Sequence, residues 1–96
     1  MSVTPTVRQQ ARRFFTPPDA EKVIATFETT NLPLIANNGE RVCLAVLLLA
    51  RGEMERFYRE LQQAKTDWRD TLVAAGLANG DWPLRLRAEG IEIDAP

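Results

Sequence analysis

The stretch Val42-Cys43-Leu44-Ala45-Val46-Leu47-Leu48-Leu49-Ala50 decides the fold of this chain. It is an unbroken apolar run between Glu40-Arg41 and Arg51-Gly52. It falls well short of the roughly 20 apolar residues needed to cross a bilayer. Periodicity alone does not separate a buried strand from a buried helix in so short a run. Composition does: four Leu and two Ala against two β-branched Val favour helix. The flanks agree. Asn37-Asn38 can cap free amides, Glu40 suits a first turn, Arg51 suits a last turn, and Gly52 can take the left-handed conformation that ends a helix.

Turning about 100° per residue places Leu44, Leu47 and Leu48 on one side of this helix and Val42, Val46 and Leu49 on the other. Both sides are bulky, so the helix is expected to lie between two layers as the centre of the domain.

Working outward, Thr16-Pro17-Pro18-Asp19 reads as a helix start. Thr16 serves as N-cap, Pro17 loses no amide partner in the first turn, and Asp19 has capping-box spacing. Ala20, Val23, Ile24 and Phe27 then recur at i, i+3, i+4 and i+7, which makes one apolar face; Leu32-Pro33 ends the helix. Beyond Gly52, the residues Met54, Phe57, Tyr58, Leu61 and Ala64 share a face, and the near absence of a loop predicts a tight hairpin with the central helix. Trp68, Leu72 and Ala75 nearly continue that face. One helix over 53–78 and two separate helices therefore both fit, with a break at Thr66-Asp67 preferred because Asp67 is a strong N-cap. The second helix would run over 67–77 and close at Asn79-Gly80.

The N-terminal segment, 1–15, carries Arg8, Arg12 and Arg13 ahead of Phe14-Phe15, and a short helix from about Val7 with Ala11, Phe14 and Phe15 turned inward is expected. The C-terminal arm, 82–96, alternates: Leu84-Arg85-Leu86-Arg87, a turn at Ala88-Glu89-Gly90, then Ile91-Glu92-Ile93. A small β-hairpin fits, and an extended arm lying on the helices fits nearly as well. A two-stranded hairpin is marginal alone, so either form needs something to lie against.

Length and composition suit a single domain over residues 1–96 with ordinary apolar and charged fractions. The formal net charge of −1 argues against a dedicated nucleic-acid binder. A single Cys and no His exclude an intramolecular disulfide and a Cys/His zinc set. No apolar N-terminal leader is evident, so a cytoplasmic setting is expected.

Chemistry has few places to reside. Asp67 and Asp70, three apart around Trp68-Arg69, could hold a divalent cation through oxygen, but helix capping already accounts for both and no third acid stands nearby. Cys43, set among Leu and Val without a His partner, reads as an inert buried thiol. Tyr58 and Trp82 read as edges of the core with a wet polar atom. No phosphate loop, metal set or activated nucleophile is present in the pattern, so no catalytic, cofactor or metal residues are assigned.

The pattern Arg41-Val42…Leu44-Ala45-Val46-Leu47 followed by Asp67-Trp68-Arg69-Asp70…Leu72-Val73-Ala74-Ala75-Gly76 resembles a set of small, uncharacterised bacterial proteins. The resemblance covers roughly residues 39–77. It implies a bacterial, cytoplasmic, helical protein and carries no activity with it.

The reading is therefore an all-α bundle of about four helices with a β-like or extended tail, acting without cofactors as a protein-interaction or regulatory module. A nucleic-acid-binding helical domain is the alternative, and a small enzyme without His or Cys chemistry the third. Self-association is expected as well, because the apolar inventory looks generous for four helices. The expected homodimer interface comprises Val73, Leu77, Trp82, Leu84, Leu86, Ile91 and Ile93, with another protein as a further partner, no membrane, and nucleic acid disfavoured.

Overall fold

A computed structural model of the chain describes residues 3–30 and 39–91, and among them forms six helices and no strand. These are α1 (Pro5–Phe14), α2 (Pro17–Thr29), α3 (Gly39–Ala50), α4 (Met54–Thr66), α5 (Trp68–Ala75) and α6 (Trp82–Ala88). The chain is all-α, but four helices was an undercount. No helix among the described residues is long and apolar enough to cross a membrane.

The central position of α3 follows from its sequence. Val42 through Leu47 and Ala50 are all buried, and α3 packs against α1, α4 and α5. Burial on two sides thus holds as expected until the last turn, where Leu48 and Leu49 emerge half-buried. The expected cap at Asn37-Asn38 lies outside the described residues.

Helix α2 buries the face its spacing predicts, Ala20, Val23, Ile24 and Phe27. Thr16 occupies the N-cap, yet its hydroxyl makes no capping hydrogen bond, so the capping box does not form. The start of α1 lies earlier than its apolar pattern suggests. Thr4 is the cap, its Oγ1 accepting from the Val7 amide at 3.3 Å, and Pro5 opens the first turn. The same hydroxyl donates to Glu40 Oε1 at 2.9 Å, which ties the start of α1 to the start of α3.

Three phenylalanines join the layers. Phe57 of α4 meets Phe27 of α2 edge-on at 5.3 Å between ring centroids and Phe15, just after α1, at 6.1 Å. Such edge-to-face pairs contribute about 0.5–1.5 kcal/mol beyond the area they bury.

The α4–α5 break falls at Asp67, whose Oδ1 accepts from the Arg69 amide at 3.1 Å. Helix α5 stops earlier than expected, at Gly76 rather than at Asn79-Gly80. The Leu77 amide donates to Leu72 O at 2.8 Å and the Gly76 amide to Val73 O at 3.1 Å, with Gly76 at φ +77°. This is a Schellman closure, and its accompanying apolar contact pairs two buried residues, Leu72 and Leu77.

The same closure overturns the expected β-hairpin. Residues 84–87 are helical, and α6 ends with the Ile91 amide donating to Leu86 O and the Gly90 amide to Arg87 O, both at 2.9 Å, with Gly90 at φ +81°. Gly90 therefore ends a helix instead of turning a hairpin, and Leu86 and Ile91 form the buried pair. The segment expected as the second strand lies largely outside the described residues. Two Leu separated by one residue point about 200° apart on a helix. Accordingly Leu86 is fully buried while Leu84 is 63% exposed.

One buried polar group stands out. The Thr71 hydroxyl is shielded from solvent and finds no hydrogen-bond partner among the described residues. An unsatisfied buried hydroxyl costs on the order of 1–3 kcal/mol. Thr71→Val keeps the shape and removes the hydroxyl, so it should raise stability by roughly 1 kcal/mol. The denaturation midpoint in urea measures this, and a lower midpoint would mean that the hydroxyl is satisfied in solution.

Candidate functional site

The C-terminal ends of α1, α3, α5 and α6 converge, and the surface between them is concave. Two neighbouring hollows of about 560 and 400 Å³ share Leu48, Ala74, Ala75 and Glu89. The first adds Phe14, Leu49, Arg13 and Arg51; the second adds Val73, Leu77, Ala88 and Arg85. Together they form one open groove with an aliphatic floor and, among the described residues, a rim of three arginines and one carboxylate.

Each element delivers its part for a local reason. Leu48 and Leu49 reach the groove because α3 outlasts its cover by one turn. Ala74 and Ala75 are small enough to leave a depression at the end of α5, beside Val73, which is 66% exposed. Arg13 lies over the Phe14 ring at 5.1 Å and donates to Gly90 O at 3.3 Å and to Gln10 Oε1 at 3.1 Å. The end of α1 is thereby fastened to the end of α6.

Arg51 is held differently. Its φ is +52°, the left-handed region, and it is the only non-glycine residue among those described to adopt it. That conformation costs an L-residue about 1–2 kcal/mol relative to glycine. The side chain itself is exposed at the groove rim. Arg51→Gly should therefore raise the melting temperature, by the few degrees that about 1 kcal/mol corresponds to in a chain of this size. A lowered melting temperature would show that the Arg51 side chain stabilises the fold instead.

Of the seven residues expected at a homodimer interface, Leu77, Leu86 and Ile91 are buried in the chain's own core. Trp82 is half-buried with the Arg41 guanidinium 5.2 Å from its ring. Val73 and Leu84 present exposed apolar surface. Ile93 lies outside the described residues. The structure therefore does not bring the set together on one surface.

The other candidates resolve individually. Asp67 is engaged as the α5 cap, and Asp70 sits in the first turn of that helix, where its charge is favourable. Arg69 stacks on Trp68 at 5.4 Å. Of the arginines on α1 and α4, Arg8 pairs with Glu28 at 3.0 Å, Arg12 with Glu21 at 3.3 Å, and Arg56 lies 4.0 Å from Glu53. Tyr58 is half exposed and meets Phe57 edge-on at 5.3 Å.

Cys43 is buried in α3, and burial, aided by the nearby Glu40 charge, pushes its thiol from 9.0 up to about 12. A thiol shifted this way favours the fold fully below its unfolded value of 9.0, and that contribution disappears as pH rises through about 12. Between those values the stability advantage of the native chain over Cys43→Ala should shrink by up to about 1.4 kcal/mol per pH unit. A gap unchanged across that window would place the thiol in water. Rapid reaction with a thiol reagent in the absence of denaturant would say the same.

Sequence reasoning missed the groove. Its signal was present in the Leu-x-x-x-Gly-Leu spacing of 72–77 and the matching 86–91, which mark two helix ends, and in Asp81-Trp82-Pro83, a helix start with Pro in the first turn. No family model, no curated protein and no solved structure matches the chain.

Proposed function

We propose that this chain is a protein-interaction module whose docking surface is the groove between the ends of α1, α3, α5 and α6. The observation that carries the reading is the emergence of Leu48 and Leu49, from a helix that buries Val42 through Leu47 and Ala50, into an open hollow continuous with exposed Val73. Concave surfaces that set exposed aliphatic groups beside charged ones are a usual form of docking site.

Two other readings have weaker support. Nucleic-acid binding would draw on Arg8, Arg12 and Arg13 together with Arg56, Arg59 and Arg69, and of these six Arg8, Arg12 and Arg56 already face a carboxylate. Weak, salt-sensitive binding of about 10⁻⁴–10⁻⁶ M is the expected ceiling there. Self-association is favoured by exposed Val73 and Leu84. Light scattering after size exclusion tests it, and a mass near 10.8 kDa at micromolar concentration would rule it out.

The interaction reading itself is tested by photo-crosslinking in cells. A photoreactive residue at Ala74, exposed in the groove, should give discrete adducts, and one at Gln62, exposed on α4, should not. Equal labelling at both positions, or none at Ala74, would contradict it.

A further inference from the structure

We infer that the groove is built for an acidic, amphipathic peptide segment of a partner protein, with aliphatic side chains over Leu48 and Leu49 and carboxylates facing Arg13, Arg51 and Arg85. This rests on the reading of the groove as a docking surface and adds the chemistry of the occupant.

Charge is the first argument. Among the described residues the rim carries three guanidinium groups against one carboxylate, Glu89. Among the described residues Arg13, Arg51 and Arg85 have no ion-pair partner, as is also true of Arg59, Arg69 and Arg87, but only the first three gather at one hollow surface. Helix C-terminal ends carry partial negative charge, which would weaken an anion site. Here α5 and α6 both finish in Schellman closures, so several of their last carbonyls already accept amides of the same chain. Among the described residues the arginine side chains then outnumber the one carboxylate of the rim.

The backbone at Arg51 is the second argument. A glycine would end α3 without strain, yet an arginine stands there in the left-handed region with its side chain exposed at the rim. Strain held at an exposed charged residue points to a use for that side chain outside the fold.

The floor distinguishes peptide from nucleic acid. Single strands are held by aromatic faces on which bases stack. The floor here is aliphatic apart from Phe14, and the Arg13 guanidinium lies over that ring. Leu, Ala and Val suit the aliphatic side chains of a helix laid in a groove.

The probe is a fluorescein-labelled peptide of about 12 residues with Leu at helical i, i+3, i+4 spacing and Glu on the flanks, read by anisotropy. Two controls carry Gln or Lys in place of Glu. The expected result is saturable binding of the Glu peptide that weakens with salt, about tenfold weaker binding of the Gln peptide, and none of the Lys peptide. Arg51→Gly, which relieves strain and so preserves the fold, should weaken the Glu peptide about threefold to tenfold. Ala74→Trp should abolish binding by filling the groove. If all three peptides bind alike and Ala74→Trp removes them alike, the groove reading stands and the acidic partner is wrong. If the Glu peptide binds and Ala74→Trp leaves it unchanged, the groove reading itself fails. Absence of Glu-peptide binding, or tighter Arg51-dependent binding of a polyuridylate oligonucleotide, overturns the inference.

Discussion

Phe57→Ala should destabilise the chain by about 3–5 kcal/mol, the range for truncating a buried aromatic, which is a large share of the stability of a domain this size. The ring is fully buried and makes edge contacts to Phe15 and Phe27, so its removal leaves a void bordered by three helices and strips two aromatic pairs at once. Phe57→Leu, which refills most of the space, should recover much of the loss. Urea denaturation followed by circular dichroism reads both variants. If Phe57→Ala cost less than about 1 kcal/mol, the three aromatic rings would not form the joint between α2, α4 and the end of α1.

Gly52→Ala should cost about 2–4 kcal/mol through two separate effects, backbone strain and a steric clash. Gly52 has φ +78°, and a Cβ there would stand 2.7 Å from the backbone carbonyl oxygen of Phe14. A backbone atom cannot swing aside as a side chain can, so α1 would have to move relative to the α3–α4 hairpin. Gly76→Ala is the internal comparison. It has nearly the same φ, +77°, but its Cβ would meet only the Arg85 side chain at 3.6 Å, an ordinary contact, so it should lose about 1–2 kcal/mol from strain alone. Equal losses at the two positions would show that the approach of α1 to Gly52 is not tight in solution. Because Phe14 borders the groove, Gly52→Ala should also disturb peptide binding more than Gly76→Ala does.

The fold was legible where a long amphipathic face met a strong terminator. Ala20, Val23, Ile24 and Phe27 define α2 by spacing, and all four are buried. Asp67 marks the α4–α5 break because its carboxylate caps in the sequence position where a cap is needed. The tail was misread because alternation across only Leu84 and Leu86 is equally the pattern of two opposite sides of a helix. The deciding residues were Pro83, which fits a first turn, and Gly90-Ile91, which closes a helix by hydrogen bonds to Arg87 and Leu86. Reading α6 as a strand also made the apolar inventory look excessive. With Leu77, Leu86 and Ile91 buried within one chain, that excess narrows to exposed Val73 and Leu84 and half-buried Trp82. The groove was not legible, since it depends on four helix ends distant in sequence meeting at one place. Arg51 and Arg85 come to line adjoining hollows only through that packing.

Amide chemical shifts of the labelled chain, followed as the acidic Leu/Glu peptide is added, locate the docking surface residue by residue. Progressive, saturable changes are expected at Leu48, Leu49, Arg51, Ala74, Ala75 and Glu89, with α2 and the outer face of α4 unmoved. Changes centred on α2 or on the exposed face of α4, with the four converging helix ends silent, would contradict that location.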